Sequence, residues 1–153
     1  MKLFRHFKNQ KGFTLIELLV VIGILAILLA ITLIAINPAR QFSQANNTKR
    51  RSDVTAILNA VNQYMADNKG AVPAGITGVV QNVANTGANI CAALVPTYIA
   101  ALPRDPLTLA GAAVTNCAAA YDTNYTIVQD ATTKRLTITA PGVELQDSIS
   151  VTR

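Results

Sequence analysis

The chain has 153 residues, of which 51% are hydrophobic and only 14% are charged, a low charged fraction for a free cytosolic domain. The formal net charge of +5 hints at a nucleic-acid partner, but four of the thirteen basic side chains lie within residues 1–12. Nine basic and eight acidic side chains remain, so the rest of the chain is almost neutral and its charge is no argument for nucleic-acid binding.

Residues 1–12 form a short, polar and basic segment that ends in Gly12. It contains the only histidine of the chain, His6, so no later residue can act as an imidazole base, a histidine metal ligand or the partner of a nucleophilic serine. This excludes the commonest hydrolytic and zinc chemistries, and we expect a protein that is not an enzyme and holds no cofactor. The basic residues of the segment are Lys2, Arg5, Lys8 and Lys11.

Residues 13–36 are apolar except for one carboxylate, Glu17. As a helix they would be about 36 Å long, enough to span a bilayer and longer than the apolar core of an ordinary signal peptide. The basic residues before this run predict a cytoplasmic N-terminus and an external C-terminal part. A charge near the bilayer core costs roughly 2.5–3.5 kcal/mol, so Glu17 is predicted to be functional.

The dipeptide Asn37-Pro38 interrupts the helical pattern, because proline removes one backbone hydrogen bond and crowds the preceding turn. Residues 37–70 then resume helical spacing and end at Gly70, a residue typical of helix C-termini. The predicted apolar stripe consists of Val54, Ile57, Leu58, Val61, Tyr64 and Met65. The predicted polar face consists of Arg51, Asp53, Asn59, Gln63 and Asp67.

Residues 71–123 are rich in alanine, glycine, asparagine and threonine and show no strong periodicity. We interpret them as a long connection with one short helix near residues 88–94 and a turn at residues 101–106. The segments NYTIVQD (124–130) and KRLTITA (134–140) alternate β-branched and polar residues, which predicts a β-hairpin.

A weaker third strand is expected at residues 143–151, after a turn at Pro141-Gly142. The predicted fold is therefore α+β. A long N-terminal helix with a hydrophobic first half packs by its second half on a small antiparallel sheet.

The two cysteines, Cys91 and Cys117, lie on the same side of the hydrophobic segment. A chain that passes its C-terminal part outward places both in a compartment that permits disulfides. A bridge between them would contribute on the order of 3 kcal/mol in the chain-entropy description. Two free thiols or a metal-binding pair are the alternatives.

The stretch KGFTLIELLVVIGILAILLA at residues 11–30 closely resembles the N-terminus of type IV prepilins and their pseudopilin relatives. YMADNKGAVP (64–73) and LPRDP (102–106) more weakly resemble segments of the major pseudopilins of type II secretion and of some bacterial pilins. Many type IV pilins place their first proline about four residues earlier, where this chain has Ile34. The first resemblance rests on a basic residue followed by Gly12, Phe13, Thr14, Leu15 and Glu17 and then an unbroken apolar run.

This resemblance implies that a prepilin peptidase cuts between Gly12 and Phe13 and methylates the new amino group of Phe13. Glu17 becomes the fifth residue of the mature chain and pairs with the Phe13 ammonium of a neighbouring subunit. The alternative is a Glu17 side chain that snorkels to the cytoplasmic interface. The implied organisation is a leader (1–12), a transmembrane and filament-core helix (13–36), an amphipathic helix (37–70) and a globular head (71–153).

The implied function is that of the major pilin of a bacterial type IV pilus, a helical homopolymer used in adhesion and motility. The subunit would sit in the cytoplasmic membrane until an assembly platform and motor extrude it as an extracellular filament. One alternative is a pseudopilin of a type II secretion or DNA-uptake (competence) system. A membrane-anchored solute- or DNA-binding module is a third hypothesis, from a different functional class.

Two weaker signals remain. The basic segment TKRRSD (48–53) can contact anionic lipid headgroups or DNA, or it can be a solvated helix face or a row of salt bridges between subunits. Asp105, Asp122 and Asp130 are weak candidates for calcium ligands, with turn formation and capping as the alternative.

Overall fold

The structure is a computed structural model of the protein, and it describes residues 12–153. The chain divides into two compact units, and the boundary between them follows Pro38. The first unit contains an apolar helix, and the second contains an amphipathic helix and a β-sheet. We describe the two units separately.

The apolar helix, α1, spans Leu15–Ile36 and has no buried residue. Its 22 residues extend for about 33 Å, so it is long and apolar enough to cross a membrane. It ends before Asn37, which adopts a left-handed conformation with φ 46°. The next helix begins at Pro38, a position where proline is favoured because the first helical N–H has no partner within the helix.

Helix α2 spans Pro38–Asp67. The predicted stripe is confirmed: its first four members are buried, and Tyr64 and Met65 pack against the core. The assignment of Asp53 to the polar face is wrong, because only 7% of this residue is exposed. Its carboxylate is held inside by the Tyr125 hydroxyl at 2.8 Å and the Lys49 ammonium at 2.7 Å.

The sheet has four antiparallel strands in the order β1-β2-β3-β4. The strands span Gln81–Ala84 (β1), Asp122–Gln129 (β2), Leu136–Ala140 (β3) and Ile149–Thr152 (β4). The predicted hairpin corresponds to β2 and β3 and is confirmed.

Two strand predictions need correction. β1 lies in the segment that was expected to be a connection, and β4 begins six residues later than the expected third strand. The sequence QNVA lacks alternation, and β1 is a strand because it pairs with β2. Residues 143–148 are held to α2 by polar contacts instead of a strand ladder.

The core lies between α2 and the sheet and is closed by a short helix, α3, at Cys91–Leu94, which is shorter than expected. Cys91 forms a disulfide with Cys117, and their Cα atoms are 5.4 Å apart. The predicted bridge is therefore present, and it ties α3 to the segment that leads into β2. The arrangement confirms the α+β fold class.

The turn after β1 depends on a glycine. A Cβ atom at Gly87 would collide with the carbonyl oxygen of Asn82, and this carbonyl also accepts the Ala88 N–H at 2.8 Å. We expect Gly87→Ala to lower the free energy of unfolding of the detergent-solubilised protein by about 1–3 kcal/mol, measured by urea denaturation. A matched control is Gly78→Ala, whose Cβ would lie at an ordinary 3.7 Å from the nearest atom. Equal effects of the two substitutions would contradict the prediction.

Candidate functional site

The N-terminus of α1 is closed by a reciprocal pair of polar contacts. Glu17 accepts hydrogen bonds from the backbone N–H and the hydroxyl of Thr14, both at 2.8 Å, while the Thr14 hydroxyl accepts from the Glu17 N–H at 3.2 Å. This capping box satisfies two backbone donors that a helix start would otherwise leave without partners. The local sequence alone, threonine followed three residues later by glutamate, is sufficient to form it.

Among the described residues, hydrogen-bond donors reach only one oxygen of the Glu17 carboxylate. Both bonds from Thr14 end on Oε2, and no described residue donates to Oε1. The helix N-terminus favours a negative charge at this position because the first N–H groups carry a partial positive charge. The arrangement therefore stabilises the carboxylate and leaves an acceptor for an external cation.

Gly12 and Phe13 precede the first turn of α1, and both are exposed. The peptide bond between them lies outside the helix, where a peptidase can bind an extended chain. Residues 1–11, with the predicted basic flank, lie outside the described residues. The predicted cleavage bond and Glu17 lie at the same end of α1, and Gly12 and Glu17 are five positions apart in the sequence.

A second polar cluster is buried in the second unit around Arg50, which has no exposed surface. Its Nε donates to Asp105 Oδ2 at 2.6 Å and its Nη2 to Asp105 Oδ1 at 3.2 Å, so the pair is bidentate. Its Nη1 donates to Glu144 Oε2 at 2.9 Å and to Asn47 Oδ1 at 3.0 Å. Burial opposes the charge, but these hydrogen bonds and carboxylates hold the pKa of Arg50 above its ordinary value.

Glu144 is the point at which the C-terminal segment is attached to α2. Its Oε1 accepts from the Ser43 hydroxyl and its Oε2 from the Asn46 amide, each at 2.9 Å. The Asn47 amide pairs with both the N–H and the carbonyl of Glu144, at 3.1 and 2.7 Å. The contacting residues of α2 lie at i, i+3, i+4 and i+7, so one face of the helix makes the whole attachment.

The buried cluster has no unmet hydrogen-bonding group. Within residues 12–153, every buried side-chain nitrogen or oxygen has a partner. This matters because a buried charge without its partner costs several kcal/mol. The burial of Arg50 was not predicted, although its position four residues before Val54 continues the apolar stripe backward.

The basic segment at residues 48–53 forms intramolecular ion pairs. Lys49 pairs with Asp53, Arg50 with Asp105 and Glu144, and Arg51 with Asp147. The Lys49 and Arg51 side chains remain 44% and 56% exposed in their pairs. The hypotheses of a headgroup contact, a DNA contact and salt bridges between subunits therefore stay predictions.

The three aspartates considered for calcium lie in separate turns and contacts. Asp105 is bound by Arg50, Asp122 accepts the Asn124 N–H at 2.8 Å, and Asp130 accepts the N–H groups of Thr132 and Thr133. These N–H groups hold the pKa of Asp130 below its ordinary value. The described part of the chain brings no three histidine, cysteine, aspartate or glutamate side chains together as metal ligands.

The comparison with known protein families identifies the N-terminal motif. Residues 7–33 match the family model described as the prokaryotic N-terminal methylation motif. This motif is the signature of type IV pilins and pseudopilins, and the helix-first α+β fold is consistent with the pilin fold. No curated protein and no solved structure matches the chain.

The role of the buried cluster can be measured with two arginine substitutions. Arg50→Met leaves Asp105 buried without its cation, and we expect a loss of about 3–5 kcal/mol in the free energy of unfolding. Arg51→Met removes the half-exposed pair with Asp147 and should cost less than about 1 kcal/mol. Urea denaturation of the detergent-solubilised protein measures both. A cost of Arg50→Met no larger than that of Arg51→Met would refute a structural role for the cluster.

The attachment at Glu144 is expected to weaken in acid. Hydrogen bonds from Arg50 first, and then from Asn46 and Ser43, hold the pKa of Glu144 below its usual value of 4.5. A carboxylate with a lowered folded-state pKa contributes its full stability above pH 4.5 and loses it as the pH falls through the folded-state value.

We therefore expect the urea midpoint to fall between neutral pH and a pH of about 3. Glu144→Gln should lower the midpoint at neutral pH but reduce the further fall in acid, because glutamine does not titrate. Parallel pH dependences of the two proteins would contradict this assignment.

Proposed function

We propose that this chain is the major structural subunit of a bacterial type IV pilus, which polymerises through its N-terminal helix after removal of residues 1–12. The single observation that supports this most strongly is the methylation motif at residues 7–33, which runs into an apolar helix that has no buried residue. Such a helix needs lipid or other apolar helices around it in every state of the protein.

In this proposal the subunit waits in the cytoplasmic membrane with its N-terminus inside the cell. A prepilin peptidase cleaves the bond before Phe13 and methylates the new amino group. An assembly platform and motor then move α1 from lipid into a bundle of identical helices. This move changes the free energy of the apolar surface very little, because lipid tails and the core of a helix bundle both exclude water.

Glu17 favours the move of α1 from lipid into the helix bundle, because the bundle can provide a partner for its charge. In lipid, the capping box with Thr14 satisfies one carboxylate oxygen, and Oε1 lacks a donor among the described residues. The ammonium of Phe13 from a neighbouring copy is a cation of matching position, since cleavage creates it four residues before Glu17. This ion pair sets the axial register of an incoming subunit against the last subunit added, within the bundle of apolar helices.

A pseudopilin of a type II secretion or competence system is the second candidate, and the LPRDP segment at residues 102–106 favours it. Asp105 of this segment anchors Arg50 through the buried bidentate pair. That role is structural and suits either kind of filament, so the preference for a pseudopilin comes only from the resemblance of the segment. The two candidates differ in where the polymer accumulates.

The first experiment is mass spectrometry of material sheared from the cell surface. We expect a chain that begins at N-methylated Phe13 and is two hydrogens lighter than the reduced formula, because of the disulfide. A cleaved chain found only in the membrane fraction would favour the pseudopilin. A chain that still begins at Met1 would contradict both filament functions.

Removal of the Glu17 carboxylate tests the assembly step directly. We expect Glu17→Ala to be cleaved and membrane-bound but absent from sheared filaments, because the incoming subunit lacks the charge that pairs with Phe13. Thr32→Val is a matched control, since the Thr32 hydroxyl bonds only the Leu29 carbonyl of its own helix at 2.9 Å. Normal filaments from the alanine variant would show that Glu17 has no part in polymerisation.

A further inference from the structure

A polar groove lies along the first half of α2, within the second unit. Its volume is about 520 Å³, which is in the range of small-molecule sites. One wall is a face of α2, whose lining residues are mostly three or four positions apart, and the other wall is the segment 145–147. We call it the arginine groove. Its principal lining residues are Arg40, Gln44, Thr48, Arg51, Gln146 and Asp147.

The arginine groove has a surplus of positive charge. It is lined by two guanidinium groups, those of Arg40 and Arg51, and by one carboxylate, that of Asp147, which leaves a formal charge of +1. Arg51 donates to Asp147 through Nη2, and none of the residues 12–153 accepts a hydrogen bond from its Nε or Nη1. A ligand of charge −1 that carries oxygen acceptors would therefore balance the charge of the groove.

Two side-chain amides add neutral donors to this charge. Gln44 lies on the α2 wall and Gln146 on the opposite wall, and each amide has two N–H groups. Arginine is well suited to phosphate, because its planar fork of N–H groups matches two phosphate oxygens. A phosphate diester that also carries hydroxyl groups fits the whole groove, since the amides can bind the hydroxyls.

The second wall of the groove is fixed in the protein without a ligand. Leu145 and Gln146 are both left-handed, with φ 60° and 53°, a conformation that costs backbone energy in residues other than glycine. The residues on either side hold this turn in place, because Glu144 is bonded to α2 and Asp147 pairs with Arg51. A wall that is already ordered lowers the entropy cost of binding.

The arginine groove begins close to the membrane-spanning segment. Arg40 is four residues after Ile36, the last residue of α1, so their Cα atoms are at most about 14 Å apart however the chain bends. The headgroup layer on each side of a bilayer is roughly 5–8 Å thick, and a long arginine side chain can extend into it. Phe42, two residues further, is 69% exposed and suits the apolar boundary of that layer. When α1 spans a membrane, lipid phosphates are therefore abundant anions near Arg40.

We propose that the arginine groove binds the phosphate diester of an anionic phospholipid with a hydroxylated headgroup, of the phosphatidylglycerol type, in the membrane that α1 spans. The proposal rests on the membrane-bound stage of the proposed function and on no later step. The phosphate charge of −1 balances the surplus charge of the groove. The bound lipid attaches the second unit to the membrane surface until assembly removes the subunit.

Native mass spectrometry of the full chain released from detergent micelles tests the contact. Phosphatidylglycerol should form a saturable complex of one lipid per chain, with a dissociation constant about tenfold lower than that of phosphatidylcholine. Arg40→Gln and Arg51→Gln should each weaken phosphatidylglycerol binding about tenfold, because each removes a guanidinium from the phosphate. Arg135→Gln is the matched control. It removes the same charge from an exposed position between β2 and β3 and should change binding less than about twofold.

A variant with tighter binding provides a result that loss of folding cannot produce. Asp147→Asn keeps an acceptor for Arg51 but removes the opposing charge, so the surplus charge of the groove rises to +2. It should strengthen phosphatidylglycerol binding about threefold or more. Asp130→Asn removes one carboxylate from the turn between β2 and β3 and should leave binding unchanged. Equal effects of the two asparagine variants would contradict the proposed site.

Three further results would overturn the proposal. Equal losses from Arg135→Gln and the two groove variants would show general charge attraction instead of a site. Glycerol 3-phosphate that displaces the lipid at equal concentration would assign the groove to a soluble phosphate ester. A DNA duplex that competes more strongly than the lipid would assign it to nucleic acid.

The measurement does not depend on filament formation. Absence of the lipid complex would therefore refute the lipid site and leave the proposed function intact. Absence of filaments from cells that produce the unmodified protein would refute the proposed function and leave the lipid complex of the purified chain unaffected. The two failures are distinguishable.

Discussion

The apolar helix α1 imposes the constraint on which the rest of the protein depends. None of its 22 residues is buried, and they are hydrophobic on every side apart from a few small or polar positions. A helix of this kind is stable only in lipid or among other apolar helices. The fold therefore cannot use α1 as part of its own core, and the second unit has to form a complete core without it.

The second unit meets this requirement with a small apolar core and a buried ionic cluster. The core lies between the later part of α2 and the sheet, while Arg50 and its neighbours bind the earlier part of α2 to two distant segments. A small domain has limited apolar surface to bury, so directional contacts and a disulfide supplement it. The cluster also determines the path of residues 143–148, because a fully satisfied ionic network tolerates few alternative arrangements.

The sequence predicted the parts of the molecule that depend on local patterns. The apolar run, the helical stripe that begins at Val54 and the β2–β3 hairpin all follow from spacing within a few residues. The Thr14–Glu17 capping box was not among the predictions, although its pattern is equally local. β1 could not be recognised in this way, because QNVA has weak strand propensity and becomes a strand only by pairing with residues about 40 positions later.

The partners of Arg50 also escaped prediction, since Asp105 and Glu144 are 55 and 94 residues away in the sequence. The helical register did contain part of the information. Arg50 and Asn47 extend the buried stripe backward by one and two turns, and Asp53 lies one turn before Ile57. A charged residue in a buried register requires a partner of opposite charge, but only the tertiary fold identifies which one. The N-terminal motif was recognised because its residues lie within one short stretch of sequence.

In the proposed polymer, the apolar helix and its one carboxylate would have different tasks. Apolar helices slide past one another at little cost, since any register buries a similar surface, so α1 alone cannot specify how copies align. In the proposed filament, the Glu17 carboxylate near its start would specify the axial position, because an unpaired charge in an apolar bundle is costly at every other register. The Glu17 contact would not specify how the heads face one another, because a single contact close to the axis of α1 leaves rotation of the subunit about that axis undetermined. In the proposed filament, contacts between the heads have to supply that second constraint. These contacts have to join two different surfaces of the head, because a self-complementary surface would produce closed pairs instead.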